Sequence, residues 1–389
     1  MEQNRILHIC LGCFYYDKMS YQENMLVKKH IEFGNSVSVV SFCDDMLDGK
    51  VITRKPGLYY GQFGEPIYRL KTKISRGVNS LNPFARLSNY HTGLKEIIED
   101  VNPNIIFVHG PQTKNVYDII KYKRKHPDVI VFADNHADVI NSKRGNRFLG
   151  YILKNIVYGK YARDLSKITK IFWGTTPARC VFLEKKYRVK KSKIGFLPTG
   201  VDETKLNDQG KRNGRLLLDK YKVPQQDFII VSGGKFDEYK NIIPLVDSYV
   251  DLLKKHKNIT LVLFGTLDKQ YYDYIENKKI IYLGWLDGTS IINVLMNCDL
   301  SVFIGGHSTM WEESIAIGLP GVFMKYNGFE HINFNDNVLF IERNEKNTIF
   351  PILESLLSNK NVYQQLKNNA LDDKRRQFFY SEIAKKAIS

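Results

Sequence analysis

A chain of 389 residues is too long for one ordinary core and predicts two domains of similar size. With 43% hydrophobic and 25% charged residues it is predicted to fold throughout, which excludes a disordered protein. The formal net charge of +16 lies entirely within residues 1–200, which hold 33 basic and 17 acidic residues. This asymmetry indicates an anionic partner for the N-terminal half, such as a membrane surface, a phosphorylated acceptor or nucleic acid.

The first half of the sequence alternates short β-rich runs with longer helical patterns, which is typical of parallel sheets covered by helices. We predict strands at residues 6–10, 37–42, 105–109, 129–133, 171–174 and 194–197. Between the first two strands an amphipathic helix is expected to end at Gly34, because glycine is a favoured stop at the end of a helix. This β-α-β unit should have the usual right-handed crossover.

The second half repeats this alternation after a polar stretch at residues 203–226, which is predicted to link a domain at 1–202 to one at 227–372. We predict its strands at residues 228–232, 260–264, 280–283, 300–304 and 321–324, and its helices at about 242–255, 290–297 and 310–317. Residues 373–389 predict a last helix that could pack back on the N-terminal domain. The predicted fold class is α/β, with two Rossmann-like domains whose ligand-binding loops face each other across a cleft.

The chain carries none of the usual sequence signals for membrane insertion or export. Its apolar runs are strand-sized, well below the roughly 18 consecutive residues of a membrane helix. The N-terminus lacks the features of a signal peptide, so a cytoplasmic protein is expected. Five scattered cysteines suit a reducing compartment, and the C-x-x-C at Cys10 and Cys13 is interpreted as small buried residues at a strand end.

One candidate ligand loop follows the strand at residues 228–232 and has the sequence GGKFDEYKN at residues 233–241. Gly233 and Gly234 allow the backbone to approach a ligand closely, and Lys235 and Lys240 supply two cations. A predicted helix follows, and the N-terminus of a helix favours anions. The segment matches neither the P-loop nor the G-x-G-x-x-G pattern, so it predicts a diphosphate cradle of another kind.

A second candidate loop follows the strand at residues 300–304 and has the sequence GGHSTMWEESIAIGLPGV at residues 305–322. Ser308 is expected to cap the next helix, and Glu312 and Glu313 lie near its beginning. An acidic residue there can simply complement the helix dipole. Its carboxylate can also accept hydrogen bonds from the hydroxyl groups of a ribose.

Four ordered segments resemble the retaining GT-B glycosyltransferases, a family 4-like group with members in bacterial surface polysaccharide synthesis. ESIAIGLPGV resembles E-A-x-A-x-G-x-P-V, and GGKFDEYKN resembles G-[RK]-x-x-x-x-K. LPTGVD at residues 197–202 resembles P-x-G-V-D, and PNIIFVHGP at residues 103–111 resembles P-D-I-[IV]-H-x-H. The resemblance covers the whole chain and implies sugar transfer from a nucleotide-diphosphate sugar.

The resemblance also implies roles for individual residues. His109, Lys235 and Lys240 would be catalytic, with His109 near the transferring sugar and the lysines on the donor diphosphate. Glu313 would hold the ribose. The full donor-binding set is Gly12, Gly234, Lys235, Lys240, Gly306, His307, Ser308, Thr309 and Glu313.

The sequence departs from the family at Gly305, where members commonly carry a glutamate eight residues before Glu313. The contact of that glutamate with the donor sugar must be replaced by the backbone of residues 306–308 or by His307, or be absent. His136, in DNHAD, is either a further site residue or a structural histidine.

Breaking a sugar–phosphate bond requires stabilisation of the departing diphosphate. The sequence has no convincing Asp-x-Asp at a strand end, so lysines and a helix dipole are expected to do this without a metal or other cofactor. The resemblance implies same-face attack by the acceptor, with the anomeric configuration retained. A sugar-nucleotide epimerase of the same fold and a catalytically silent carbohydrate-binding or scaffold subunit are the alternatives.

The basic N-terminal half predicts an anionic or membrane-borne acceptor, such as a lipid-linked glycan. Residues 141–170 combine basic and aromatic side chains, and residues 69–87 form a long basic connection; both could lie on an anionic surface. The protein would then be peripheral on the inner face of the cell membrane. Residues 185–193 are also basic, but no nucleic-acid motif accompanies them, so no nucleic-acid partner is expected.

Overall fold

A computed structural model describes residues 3–47, 50–72, 89–139 and 148–389, with side chains from Asn155 onwards in the last range. The chain divides into two compact units. Unit 1 comprises Met1–Pro198 together with Ile383–Ser389, and unit 2 comprises Thr199–Glu382. No helix in these described ranges is long and apolar enough to cross a membrane.

Unit 1 contains ten strands in its described part. They are β1 Arg5–Cys10, β2 Ser36–Phe42, β3 Asp44–Leu47, β4 Lys50–Thr53, β5 Gly57–Tyr60, β6 Pro66–Leu70, β7 Ile105–His109, β8 Ile130–Asn135, β9 Phe172–Gly174 and β10 Ile194–Phe196. Eight of them form a sheet in the order β10-β9-β8-β7-β1-β2-β6-β5, in which only β5 is antiparallel to its neighbour, and β3 and β4 form a separate hairpin.

The helices of unit 1 cover this sheet. They are α1 Gln22–Glu32, α2 Leu94–Val101, α3 Val116–Lys125, α4 Phe148–Ser166 and α5 Pro177–Lys185. Helix α1 stops next to Gly34, whose φ of 81° lies in the left-handed region that favours glycine. Apolar residues of β1, β7 and β8 pack with these helices in one continuous core. A 3₁₀ turn at Lys191–Lys193 precedes β10.

Unit 2 holds a six-stranded sheet in the order β13-β12-β11-β14-β15-β16, with every neighbouring pair parallel. Its strands are β11 Phe228–Phe236, β12 Ile259–Leu267, β13 Ile280–Tyr282, β14 Leu300–Phe303, β15 Gly321–Met324 and β16 Val338–Ile341. Because strand side chains alternate, Ile230 packs into one core and Ile229 and Val231 into another on the opposite face.

Helices cover both faces of this sheet, giving a three-layer unit. They are α6 Asp208–Lys220, α7 Ile243–Lys255, α8 Lys269–Ile275, α9 Gly288–Leu295, α10 Met310–Ile317, α11 Lys346–Ser358 and α12 Lys360–Ala370. A last helix, α13 Tyr380–Ala387, begins at the end of unit 2, and its residues from Ile383 onwards belong to unit 1. Four 3₁₀ segments lie at Glu203–Lys205, Glu238–Lys240, Glu330–Ile332 and Asp373–Phe378.

Two connecting regions differ from their predicted form. Residues 203–226, predicted as a linker, belong to unit 2, where Leu218 of α6 shares a core with Val294 of α9. Residues 373–389 are not one helix: a 3₁₀ segment precedes α13, and only Ile383–Ser389 belongs to unit 1. That last segment is held by Trp173, whose Nε1 donates to the carbonyl of Ala387 at 3.0 Å.

Candidate functional site

The strand order of unit 2 reverses at β11, which has β12 on one side and β14 on the other. Ligands of parallel α/β sheets bind at the carboxyl ends of the strands on either side of such a reversal. The segments that follow β11 and β14 are those singled out in the sequence, and the sheet brings them side by side. This edge of the sheet is therefore the candidate ligand site of unit 2.

Residues 233–236, predicted as a loop, continue strand β11. The ladder with β12 extends as far as the pairing of Phe236 with Leu267, because β12 is equally long. Gly234 has a φ of 133°, which disfavours any other residue there. Lys235, at the end of the strand, is 68% exposed and its Nζ lies 3.8 Å from an Asp237 carboxylate oxygen. It is therefore a solvent-exposed cation at the edge of the candidate site.

Lys240 is more firmly placed, because its side chain runs from Gly305 to Gly234. A Cβ atom added at Gly305 would lie 2.3 Å from Lys240 Cγ, and one added at Gly234 would lie 2.9 Å from Lys240 Nζ. The backbone of Lys240 is fixed by Asp237, whose Oδ1 accepts its N–H at 3.1 Å. The aliphatic stem thus covers Gly305 and delivers the ammonium group beside Gly234.

This packing gives a physical reason for the missing glutamate at position 305. Any side chain there would collide with the stem of Lys240 near its root, where the lysine has little freedom to move away. Gly306 is constrained in the same way, since a Cβ there would lie 2.7 Å from the ring of Tyr239. The two glycines let residues 239 and 240 lie directly on the segment after β14.

Glu313 is partly buried in the first turn of α10. Burial, followed by the negative charge of Glu312, raises the pKa of Glu313 to about 8, with Lys205 acting weakly in the opposite direction. Near neutral pH its carboxyl group is therefore largely protonated when no ligand is bound. This is an unusual state for a surface-facing glutamate and is typical of a binding site.

Glu312 is fully buried and belongs to a cluster with His307 and His331. His307 Nε2 lies 2.7 Å and His331 Nε2 lies 2.9 Å from the same carboxylate oxygen, Oε1. Although burial alone would raise it, the charge of His307 and the hydrogen bonds from both histidines hold the pKa of Glu312 at about 2. His307 is thus anchored through Nε2 rather than pointing it at a ligand.

The same cluster is the one group in the described ranges that could hold a metal ion. Its three ligand atoms lie within 4.8 Å of one another. Histidine nitrogens and a carboxylate are suitable zinc donors, but a closed structural site takes four ligands. Both N···O contacts are hydrogen-bond distances. We therefore treat the cluster as a hydrogen-bonded support of the segment after β14.

Ser308 does not cap helix α10, contrary to the prediction. The helix begins at Met310, its N-cap residue is the exposed Thr309, and no side chain caps it. Thr309 already has helical backbone angles and the Ser308 carbonyl accepts the N–H of Trp311 at 3.0 Å, so Ser308 lies at the helix entrance, but its side chain makes no capping hydrogen bond. The Ser308 hydroxyl is buried without a hydrogen-bond partner among the residues that the structure describes.

The predicted residues of unit 1 lie at the corresponding reversal of its sheet, where β1 separates β2 from β7. Gly12 follows β1 and contacts the segment after β7, so that a Cβ at position 12 would lie 2.3 Å from the Gly110 carbonyl oxygen. No side chain fits there. Gly12 is therefore required for the close packing of the two segments, whatever ligand they bind.

His109 is fully buried at the end of β7. Its Nδ1 lies 2.8 Å from Asp134 Oδ2, and its Nε2 lies 2.9 Å from His8 Nδ1. Both ring nitrogens are thus occupied inside unit 1, and a direct contact with a sugar would require these contacts to rearrange. His136 is more accessible, with 32% of its side chain exposed and Nε2 3.5 Å from Asp134 and 3.7 Å from Glu23.

Four residues of unit 1 were not predicted from the sequence as site residues: His8, His30, Glu23 and Asp134. Each looked like an ordinary residue of a strand or helix, and no local spacing connects them. Asp134 and Asn135, at the end of β8, carried the one available signal: polar residues at the carboxyl end of a buried strand.

The segments proposed for an anionic surface are only partly described. Residues 73–88 and 140–147 lie outside the described ranges, as do the side chains of 148–154. Arg69 is buried and pairs with Asp45 at 2.9 Å. Tyr161 is buried and Tyr158 packs against the same core, whereas Ile156 is 59% exposed. Three of these side chains therefore pack inside unit 1: those of Arg69, Tyr158 and Tyr161.

The fold is GT-B, as comparison with solved structures shows over nearly the whole chain. Sucrose-phosphate synthase from Thermosynechococcus elongatus matches with a TM-score of 0.69 and 14% identity, covering 98% of this chain and 96% of that one. Anabaena HepE in complex with UDP matches with a TM-score of 0.69 and 13% identity, covering 98% and 97%. Neisseria meningitidis UDP-GlcNAc 2-epimerase bound to UDP-GlcNAc matches with a TM-score of 0.61 and 12% identity, covering 98% and 97%.

Within this fold, residues 216–373 match the family model described as "Glycosyl transferases group 1". The matched range contains both candidate segments of unit 2. Together with the GT-B neighbours, it supports a glycosyltransferase and confirms the predicted α/β fold class.

A curated relative matches a shorter part of the chain. The 6-phospho-beta-glucosidase BglT of Thermotoga maritima is 26% identical over 151 residues, which is 39% of this chain. The chain spans about a third of the length of that relative, as the match covers 33% of it.

Proposed function

We propose that this protein transfers a sugar from a nucleotide-diphosphate sugar to an acceptor and retains the anomeric configuration. The observation that carries the proposal is the placement of Lys240 over Gly305 and beside Gly234 at the reversal of the unit 2 sheet. Glu313 on the adjacent helix supplies a carboxyl group for the ribose. Solved neighbours of the same fold hold UDP, or UDP with glucose, which supports a donor of this class.

In this proposal the Lys240 ammonium and, less strongly, Lys235 stabilise the charge that develops on the departing diphosphate. In the same proposal the donor is contacted by the backbone of Gly306 and by Ser308, whose buried hydroxyl has no hydrogen-bond partner among the described residues. We expect the reaction to need no resident metal or other cofactor, because these lysines would stabilise the departing diphosphate in place of a metal ion. The role of His109 near the transferring sugar stays a prediction.

The activity is tested by incubating the full chain with a panel of nucleotide-diphosphate sugars, with and without a mixed glycan acceptor preparation and with excess chelator. We expect release of nucleoside diphosphate that depends on the acceptor, persists with chelator, and gives a product with the donor's anomeric configuration by NMR. Acceptor-independent change of the donor sugar would identify an epimerase, the function of one neighbour. Absence of turnover with retained nucleotide binding would identify a silent subunit.

Nucleotide affinity should increase with pH because Glu313 must be ionised to accept hydrogen bonds from both ribose hydroxyl groups. With its pKa at about 8, the affinity of the wild type is expected to rise by about tenfold between pH 7 and pH 8.5. Phosphate groups are already almost fully ionised above about pH 7, so they add little to this change. The measurement is the dissociation constant of the active nucleotide by calorimetry.

Glu313→Gln should bind weakly at every pH in that range, and Glu342→Gln, at an exposed residue 69% accessible, should behave as the wild type does. A flat pH profile in the wild type would contradict the proposed contact of Glu313 with the ribose.

The stability of the free protein is expected to change with pH in the opposite direction. Because the folded pKa lies above the ordinary value of 4.5, the contribution of protonated Glu313 to folding is complete at low pH and is lost as pH rises through about 8.

We further propose that the acceptor is anionic or lipid-linked and that unit 1 binds an anionic membrane surface. Support comes from the excess charge of residues 1–200 and from the basic side chains of Lys185, Lys186, Arg188, Lys190 and Lys191, all exposed. Each such residue close to anionic lipid contributes about 1 kcal/mol. The protein would then work at the inner face of the membrane without a membrane span.

Co-sedimentation with anionic and neutral vesicles over a salt series tests this attachment. We expect binding to anionic vesicles only, lost at high salt, and weakened by several fold per residue in Lys190→Glu and Lys191→Glu. Lys254→Glu, in unit 2 and 73% exposed, is the matched control. Equal binding to both vesicle types, or none to either, would mean that the positive charge serves another partner.

A further inference from the structure

Three fully buried imidazoles form a continuous chain through unit 1. His30 Nδ1 lies 3.0 Å from His8 Nε2, and His8 Nδ1 lies 2.9 Å from His109 Nε2. All three rings have no exposed surface. We call these residues the histidine chain. Its members are distant in sequence but are brought together by β1, α1 and β7.

Both ends of the histidine chain meet groups that can only accept a hydrogen bond. At one end His109 Nδ1 faces the carboxylate of Asp134 at 2.8 Å. At the other end His30 Nε2 faces the backbone carbonyl of Ala384, in the C-terminal segment of unit 1, at 3.0 Å. A carbonyl and an ionised carboxylate bring no proton of their own.

The number of protons follows from this arrangement. The histidine chain has four contacts. They join the Asp134 carboxylate to His109, His109 to His8, His8 to His30, and His30 to the Ala384 carbonyl. Each contact needs one proton to be a hydrogen bond. A neutral imidazole carries one proton, so three neutral rings supply three. One further proton is required to satisfy all four contacts.

We propose that the histidine chain holds one shared proton and that its loss is transmitted from Asp134 to the C-terminal segment Ile383–Ser389. The positive charge is most stable at His109, which contacts the Asp134 carboxylate. His8 and His30 are then neutral, and each carries its hydrogen on Nε2 and donates away from Asp134. In this state His30 donates to Ala384 and helps to hold the segment.

The surroundings of His8 and His30 agree with this distribution. Burial, together with the neighbouring His109 and His30, lowers the pKa of His8 well below its usual value. Burial lowers the pKa of His30 to about 4, against a smaller opposing effect of the Ala384 carbonyl. Neither ring is therefore suited to carry the charge itself.

Loss of the shared proton must break one of the four hydrogen bonds. The bond that is lost is expected to be the weaker of the two at the ends of the histidine chain. A hydrogen bond to a carboxylate is roughly twice as strong as one to a neutral carbonyl, so His109 keeps its proton on Nδ1 for Asp134. His8 and His30 then shift their hydrogens to Nδ1 in order to donate towards His109. His30 Nε2 is left without a hydrogen, and its bond to Ala384 is lost.

The ionisable groups around the chain leave a route for the proton to solvent. Asp134 is also 3.5 Å from His136, which is partly exposed and itself 3.7 Å from Glu23. Although burial opposes it, the charges of Asp134 and Glu23 raise the pKa of His136, with Arg179 acting in the opposite direction. Cys10 and Cys13 also lie near Asp134, and burial raises the pKa of both thiols, so they stay neutral.

Nuclear magnetic resonance of the wild-type full chain tests the shared proton directly. Imidazole nitrogen shifts are recorded from about pH 5 to about pH 9 and report which nitrogen of each histidine carries hydrogen. The indole signal of Trp173 reports the C-terminal segment, because its Nε1 donates to Ala387. We expect His8 and His30 to exchange hydrogen from Nε2 to Nδ1 as pH rises, and the Trp173 signal to shift with the same midpoint.

Two variants separate transmission from a merely structural role. His8→Phe interrupts the chain, so His30 can keep its hydrogen on Nε2 and the Trp173 signal should no longer titrate. His126 does not belong to the histidine chain, and 40% of its side chain is exposed. His126→Phe should therefore leave the titration of the Trp173 signal unchanged. Unchanged tautomers of His8 and His30 across the range, or a Trp173 titration that persists in His8→Phe, would overturn the proposal. None of these readouts depends on sugar transfer.

Discussion

Lys240→Ala should lower the turnover number by about 10²–10³-fold, because it removes the fixed cation beside the departing diphosphate. The loss is expected mainly in kcat and kcat/KM rather than in donor affinity, since the charge to be stabilised grows as the bond breaks. Steady-state kinetics with the active donor measures both. Lys235→Ala should have a smaller effect, because that side chain is 68% exposed and is screened by water.

The stem and the charge of Lys240 can be tested separately. Lys240→Met keeps an unbranched side chain over Gly305 but has no ammonium group, so it should preserve the thermal stability of the protein while losing nearly as much activity as the alanine variant. Lys254→Ala, on the last turn of α7, is the control for loss of an exposed lysine. Activity close to the wild type in Lys240→Met would show that the lysine acts through packing alone.

Most strands and three helices of unit 2 were predictable because their signals are local, whereas the helices Lys269–Ile275, Lys346–Ser358 and Lys360–Ala370 were not predicted. The strand Gly321–Met324 and the helix Met310–Ile317 have the predicted bounds, each set by a short apolar run with a glycine beside it. The strand Val338–Ile341 was missed, and β11 was predicted too short. The last four residues of β11 include two glycines and a lysine, so only the long pairing with β12 makes them part of a strand.

Unit 1 shows where sequence patterns stop being informative. Strands β3 to β5 were missed because they have four residues each and are largely exposed, so no apolar alternation marks them. The position of His109 at a strand end was predicted, but its enclosure was not. That enclosure depends on His8 and Asp134, which are 101 and 25 residues away in sequence.

The same limit applies to the departure at position 305. The sequence shows a glycine where the resemblance leads one to expect a glutamate, and only the structure shows what occupies the space. Lys240 lies over that glycine, so the lysine and the glycine form one structural unit. A loss of function through the missing glutamate therefore does not follow from the substitution alone.

Gly305→Glu, which introduces the glutamate expected from the resemblance, should abolish activity rather than improve it. Its Cβ would lie 2.3 Å from Cγ and 3.0 Å from Cβ of Lys240, so the lysine has to leave its place beside Gly234. We expect a fall in kcat/KM of at least about 10²-fold, similar to the loss of the ammonium group itself. Gly305→Ala should show much of this effect, since the collision begins at the Cβ atom.

A double-mutant cycle tests whether the loss arises through Lys240. In the Lys240→Ala background the atoms beyond Cβ are gone, so Gly305→Ala should cost little further activity. Equal effects of Gly305→Ala in both backgrounds would mean that the glycine serves the donor directly. Thermal unfolding of each variant provides the control for folding. Higher activity in Gly305→Glu than in the wild type would contradict the packing explanation, because it would require the glutamate and Lys240 to occupy the site together.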